Sequence, residues 1–326
     1  MNSWGQIFRV SIWGESHGPQ VGVSIDGVPA GIALCEDDFS TDLDRRRAGA
    51  AGTTPRKESD LPHIVSGVYN GFTTGSPLTI EFVNENTQSG DYSNLIKHPR
   101  PSHADLVAQQ KWDGYNDPRG GGHFSGRITL GLVAAGVVAK KILGSTAEFL
   151  TDIIEIGGSQ DKAKFAEILE SARTAQDSVG GVVECCVKGI SAGLGEPFFD
   201  SAESLMAHLL FSVPAVKGVE FGDGFEVARK RGSQNNDCIT DAEGKTATNH
   251  AGGLVGGITN GNEIVVRAAV KPTPSISCKQ QTYNFENGAV EPLIIKGRHD
   301  VCITLRAAVV IESAIAIALA DLKLRA

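Results

Sequence analysis

The sequence predicts an α+β protein in which helices form a layer covered on both faces. Residues 129–143 and 306–324 are alanine-rich and apolar on every side, as in helices buried all round. Short alternating or β-branched runs recur through both halves of the chain, the pattern of strands. At 326 residues the chain is long enough for one large domain or two, and no proline-rich linker, low-complexity tract or solenoid-period repeat divides it. Two ordinary core helices would give the same pattern, so pattern alone leaves the architecture open.

In chain order, 8–13 reads as a strand that delivers His17 on the loop beyond it. Residues 21–25 alternate and end at Asp26-Gly27, a hairpin-type turn pair. Residues 36–47 place Phe39 and Leu43 four apart, as in an amphipathic helix with Arg45, Arg46 and Arg47 at its C-terminal end, where cations complement the dipole. Residues 63–69 and 78–83 read as strands around a turn at 71–75. The apolar helix at 129–143 ends in Lys140-Lys141 and stops at Gly144. A polar surface helix at 162–174, a strand at 182–190, a helix at 201–211 and a strand at 263–270 precede the closing helix at 306–324.

The net charge of −8 argues against general nucleic-acid binding, which needs a basic face. Within that acidic average, Arg45, Arg46, Arg47, Arg56 and Lys57 cluster without an acid, and Lys97, Arg100, Lys111, Arg119 and Arg127 fall among three histidines. Such clusters suit a small polyanion in a pocket. Consecutive arginines on a helix point in different directions, so at most two of the three at 45–47 can serve one ligand. The six cysteines show neither C-x-x-C nor zinc-ligand spacing, so no metal is expected. No secretory leader is visible, and the longest apolar run, 314–320, is 7 residues against the roughly 20 that span a bilayer. A soluble, reduced, cytoplasmic protein without a membrane partner is expected.

Three short segments frame titratable groups. Trp13-Gly14-Glu15-Ser16-His17-Gly18 sets a histidine beside glycines, where the backbone crowds a ligand least. In Arg100-Pro101-Ser102-His103-Ala104-Asp105 the arginine supplies an anion partner and Asp105 can orient the His103 ring. Gly297-Arg298-His299-Asp300 pairs a cation with a carboxylate. The run from Gly120 to Arg127 precedes a helix and exposes N–H groups to a phosphate, yet lacks the Gly-Lys-Ser/Thr ending of a nucleotide loop. The glycines at 252–257 lack dinucleotide spacing and a βαβ setting. Residue chemistry alone thus reaches a compact-polyanion site with two histidines and an aspartate for proton handling.

These segments, the Arg119 to Gly122 run, Asn249-His250-Ala251-Gly252-Gly253 with Gly256-Gly257, and Lys271-Pro272-Thr273 occur in an order that resembles the chorismate synthase family. The resemblance runs from Trp4-Gly5 to the final helix. It implies a β-α-β sandwich, a helical layer between antiparallel sheets, as one domain over 1–326 assembled as a homotetramer. It also implies the elimination of phosphate and a ring proton from 5-enolpyruvylshikimate 3-phosphate, with reduced FMN required. That substrate carries about four negative charges, close to two of them on phosphate. No flavin-reductase segment is recognisable, so reduced flavin is expected from an external source, without NADPH consumption by this chain.

Residue by residue, the resemblance implies that His17 protonates the departing phosphate, His103 stabilises reduced flavin, and Asp300 works with flavin N5 on the ring proton. Arg46, Arg47, Arg100 and Arg298 match substrate-side or flavin-side cations. His123, Phe124, Ser125, Arg127, Ala215, Gly256, Lys271, Pro272, Thr273, Pro274, Ser275 and Arg298 match flavin contacts. Some positions depart from the usual pattern. His123 to Thr129 reads His-Phe-Ser-Gly-Arg-Ile-Thr where Arg-Ser-Ser-Ala-Arg-Glu-Thr is common, which replaces a cation and a hydroxyl. Ser102 replaces a glycine, Gly52 lies where a further arginine is frequent, and Pro214 stands where a polar residue can contact flavin. These changes predict altered FMN affinity. Two rivals remain: a flavin-independent phosphatase, disfavoured by the absence of metal-ligand carboxylate clusters, and a non-catalytic anion- or flavin-binding relative, disfavoured by the presence of His17, His103 and Asp300.

Overall fold

The computed structural model describes residues 1–49, 52–53, 59–85, 95–295, 297 and 299–326. The N-terminal half contributes β1 (Ser3–Trp4), β2 (Arg9–Gly14), β3 (Gln20–Asp26), α1 (Ser40–Arg46), β4 (His63–Ser66), β5 (Val68–Tyr69), β6 (Phe72–Thr73), β7 (Leu78–Val83), α2 (Asp105–Lys111) and α3 (Thr129–Leu143). The C-terminal half contributes β8 (Glu148–Ile156), α4 (Phe165–Thr174), β9 (Gly181–Lys188), α5 (Ala202–Ser212), β10 (Val216–Phe221) and α6 (Gly232–Asn235). It continues with β11 (Leu254–Val255), β12 (Ile258–Thr259), β13 (Ile264–Val270), β14 (Gln280–Asn284), β15 (Ala289–Leu293) and α7 (Thr304–Arg325).

Two antiparallel sheets enclose the helices. The first has the order β1-β2-β3-β7-β4 and the second β10-β13-β9-β8. Strand alternation decides which face turns inward. In the first sheet Val21 pairs with Phe82, Val23 with Ile80 and Ile25 with Leu78, all buried. In the second, Ile264 pairs with Val187, Val266 with Cys185 and Ala268 with Val183, again all buried. Between these faces α3 packs on β2, β3 and β7, α7 packs on β8, β9 and β13, and the two helices pack on each other. Thirteen of the fifteen α3 residues are buried, so no polar face is needed. The expected helical layer between antiparallel sheets is therefore present.

The axes of α3 and α7 approach closely because their contact residues are small. A Cβ added at Gly136 would sit 2.4 Å from that of Ser313, whose hydroxyl turns back to the Val309 carbonyl at 2.7 Å. At the other end of α7 the buried Asp321 carboxylate accepts the backbone N–H groups of Gln6, Ile7 and Phe8 at 3.0, 2.8 and 2.9 Å. This ties the strand that leads to His17 onto the C-terminal helix.

The structure corrects some local expectations. Asp26-Gly27 does not turn a hairpin: β3 pairs with β2 and β7, and the chain leaves the sheet after Gly27. The glycine is needed for close passage, since a Cβ there would fall 1.8 Å from the Ile7 carbonyl oxygen. The segment at 36–47 splits into a 3₁₀ turn, Glu36–Phe39, followed by α1. The run at 63–69 breaks after Ser66, and β5 pairs with β6. Among the described residues no helix is long and apolar enough to cross a membrane.

Candidate active site

A cavity of about 420 Å³ opens where the N-terminal ends of α3 and α7 converge with the C-terminal end of α1. Both helices present the positive ends of their dipoles to it, a ready setting for an anion. Among the described residues its walls carry six cations, Arg46, Arg47, Arg100, Arg127, Lys271 and Arg306, against two carboxylates, Asp60 and Asp300. A protein of net charge −8 thus concentrates positive charge at one place.

The most deeply buried cation is Arg46, only 2% exposed. Its Nε donates to Thr129 Oγ1 at 2.9 Å and Nη2 to the Gly126 carbonyl at 2.8 Å. Burial, followed by the cations Arg306 and Arg127, pushes its guanidinium below the ordinary arginine value. Asp60, 3% exposed, lies between Arg46 and Arg127, with Oδ2 3.4 Å from Arg46 Nη1 and Oδ1 2.8 Å from Arg127 Nη1. Arg127 also donates to the Asn84 side chain and, at 3.1 Å, to the Val83 carbonyl. Arg306 reaches the Arg46 carbonyl at 3.0 Å and Asp300 Oδ2 at 3.0 Å, which places Asp300 on the wall formed by the start of α7.

Across the cavity, residues 100–105 fold into a tight turn in which Ser102 adopts φ +58°. Lys271 Nζ donates to the Ser102 carbonyl at 2.6 Å. Asp105 accepts Arg100 Nε and Nη2, each at 2.7 Å, and His103 Nδ1 at 2.6 Å. Burial would raise the Asp105 carboxyl, but these hydrogen bonds from Arg100 and His103 outweigh it and hold the group far below the usual carboxylate range. With Nδ1–H committed to a carboxylate, the imidazole tautomer is set and Nε2 becomes the working atom. The Cε1–Nε2 edge lies against Gly121, where a Cβ would be 3.5 Å from Nε2. Arg100 Nη1 extends the clamp to Ser275 Oγ at 2.9 Å.

On the remaining side the loop after β2 packs on the glycine run. Ser16 N donates to the Gly122 carbonyl at 3.1 Å, and Ser16 and Gly120 both line the cavity. His17 is buried directly behind them. A Cβ at Gly120 would fall 2.6 Å from His17 Nε2, so glycine is required there for the histidine ring to pack against it, one residue back from the cavity lining. Gly120 itself has φ +60°.

These segments lie far apart in sequence and meet in one place. A family model described as chorismate synthase matches residues 8–324. The chain belongs to the chorismate synthase family. It is 60% identical to a chorismate synthase of Chitinophaga pinensis over 99% of this chain and 97% of that one. It is 44% identical to one of Dehalococcoides mccartyi over 100% of this chain and 97% of that one. A crystal structure of chorismate synthase superposes with a TM-score of 0.74 at 27% identity, covering 99% of this chain and 93% of that one. The family is one of lyases, and the β-α-β architecture agrees with that solved structure.

Against the chorismate synthase expectations, the cavity gathers Arg46, Arg47, Arg100, His103, Phe124, Ser125, Arg127, Ala215, Lys271, Thr273, Pro274, Ser275 and Asp300. His17 stands behind Gly120. His123 turns away, with Nδ1 donating to the Gly14 carbonyl at 2.7 Å, and so supports the loop that carries His17. Phe124 packs on Trp112 with ring centroids 5.7 Å apart and forms an apolar wall. Gly256 sits in the turn between β11 and β12, and neither it nor Pro272 lines the cavity. Arg298 lies outside the described residues. Arg45, in the same run as Arg46, faces Glu312 instead. Sequence reasoning missed Asp60, Thr129, His299 and Arg306. A cation in the first turn of a helix opposes the dipole, so the position of Arg306 was a usable local signal. Asp60 carried no such signal.

Proposed function

We propose that the protein is a monofunctional chorismate synthase that converts 5-enolpyruvylshikimate 3-phosphate to chorismate with reduced FMN bound beside the substrate. The observation that carries this reading is one cavity in which His103, Asp300 and six cations converge beside the His17 loop, in a chain matching the family over 8–324. The bond from ring carbon to phosphate oxygen and a ring C–H bond both break, a second ring double bond forms, and nothing is oxidised overall. The substrate's charge, about four units, suits the cation excess of the walls.

His17 supplies a proton to the departing phosphate oxygen, and Asp300, positioned by Arg306, accepts the ring proton. Arg46, Arg127 and the N-terminal ends of α3 and α7 stabilise charge that grows on the phosphate. His103 turns Nε2 to the cavity, with Asp105 holding its Nδ1. The residues present fit a flavin. Phe124, Pro214 and Ala215 bring apolar surface to the cavity, and the buried Thr273 Oγ1 has no hydrogen-bond partner among the described residues. The chain would hold the group through Phe124, Ser125, Arg127, Ala215, Lys271, Thr273, Pro274 and Ser275, which line the cavity; contacts from Gly256, Pro272 and Arg298 rest on the family resemblance alone. The chemistry that reduced FMN would supply when bound is electron density for the substrate. The same reading assigns the last common step of aromatic amino acid biosynthesis, a homotetramer and a cytoplasmic setting, and these rest on the family resemblance.

The test is anaerobic: purified protein, 5-enolpyruvylshikimate 3-phosphate and chemically reduced FMN, with phosphate and chorismate followed together. Both products, formed only with reduced flavin, are expected. Phosphate alone, or phosphate without flavin, would make the protein a phosphatase instead. NADPH consumption by the chain with oxidised FMN would overturn its monofunctional nature.

A further inference from the structure

Asp60 is an unusual presence in a site built for anions. Its carboxylate is buried in the cavity wall among cations, with one oxygen toward Arg46 and the other on Arg127. The backbone accepts a left-handed φ of +47° to place it there, a conformation uncommon in residues other than glycine. Orientation of the arginines does not explain it. Arg46 is already anchored on Thr129 and the Gly126 carbonyl, and Arg127 on Asn84 and the Val83 carbonyl, all neutral acceptors. What Asp60 adds beyond these is negative charge.

We propose that Asp60 is a built-in counter-charge that tempers the grip of Arg46 and Arg127 on anions, so that phosphate can leave the site after reaction. The role of phosphate as product rests on the function proposed above; the counter-charge itself does not. Two guanidiniums and the ends of two helix dipoles, unopposed in a largely buried wall, would hold a phosphate dianion tightly. A fixed carboxylate a few ångströms away opposes that hold in the free and the bound state alike. It acts on substrate and product phosphate in the same sense, which makes Asp60 a determinant of release as well as of affinity.

The experiment is calorimetric titration of inorganic phosphate into the purified protein and into Asp60→Asn, with ionic strength held constant by chloride. Asp60→Asn keeps the shape and removes the charge, and at least tenfold tighter phosphate binding is expected. Unchanged or weaker binding would overturn the proposal, the weaker result meaning that Asp60 positions the guanidiniums. Should Asp60→Asn fail to fold, Asp60→Ser, neutral and still able to accept a hydrogen bond, carries the same titration. In turnover, KM and kcat are expected to fall together in the variant, as binding strengthens and release slows. A rise in KM would count against the idea. If the wild-type protein forms no chorismate, the proposed function fails while the phosphate titration still decides the role of Asp60.

Discussion

Arg45 and Arg46 are neighbours on α1 and meet opposite surroundings. Arg45 joins a closed set in the helical layer, with Nη1 2.9 Å from Asp42 and Nη2 2.6 Å from Glu312. Lys140 from α3 completes it, 2.7 Å from Asp42 and also bonded to Glu312. Two cations meet two carboxylates, and α1, α3 and α7 are pinned together. Arg46 points about 100° away around the helix, into a cavity where Arg127 and Arg306 share its space and cations outnumber carboxylates. Charge balance marks the first cluster as structural, and charge excess marks the second as a place for an anion. The same residue type in one run does both, and only the partners differ.

The sharpest way to break this comparison is Arg46→Ala. It should lower kcat/KM on the order of 1,000-fold by removing a donor from the anion wall, with the fold retained by circular dichroism. Activity within tenfold of wild type would remove Arg46 from the site. The mirror experiment is Glu312→Gln, which leaves Arg45 and Lys140 with Asp42 alone and should destabilise the protein by about 3 kcal/mol or somewhat less in urea unfolding, at near-normal activity per folded molecule. The acid side gives a further reading of the same residue. Burial would raise the Glu312 carboxyl, but Arg45 and Lys140 outweigh it and hold the group down to about 2, from an ordinary 4.5. A folded value below the unfolded one contributes stability in full above pH about 4.5, and this is lost as pH falls toward about 2, roughly 3 kcal/mol in all. Stability curves of wild type and Glu312→Gln should converge over that window, and parallel curves would contradict the assignment. The smallest effect concerns His123, where the family resemblance leads one to expect arginine and where the ring bonds to Gly14 instead. His123→Arg should tighten FMN binding by up to about tenfold in anaerobic titration, and unchanged affinity would show that this departure is silent.

How much of this was legible depended on whether the signal was local. The helix at 129–143 was readable end to end, because its apolar run, terminal lysines and stop glycine all lie within it. The strands β3, β7, β9 and β13 announced themselves through apolar residues at alternate, inward positions. By contrast β14 and β15 are largely polar or exposed, so alternation gave nothing to read. The histidines and Asp105 were visible as framed motifs. The pairing of Asp105 with both Arg100 and His103 needed only five residues of chain. Asp60 was invisible, since its meaning comes from Arg46 and Arg127, which are brought to it by other elements.

What the chain settles alone is its inventory: the motifs and their order, the buried helices, the acidic average with local excess of arginine, and from these the family. Such features follow from spacing along one element, where periodicity and capping act over a few residues. What needed the tertiary structure was allocation. Packing of α3 against α7 sends Arg45 to Glu312 and Arg46 to the cavity, puts His17 behind Gly120, and turns His123 back onto Gly14. Electrostatic role depends on distance and burial, and those are set by contacts between residues hundreds of positions apart, which no local pattern encodes.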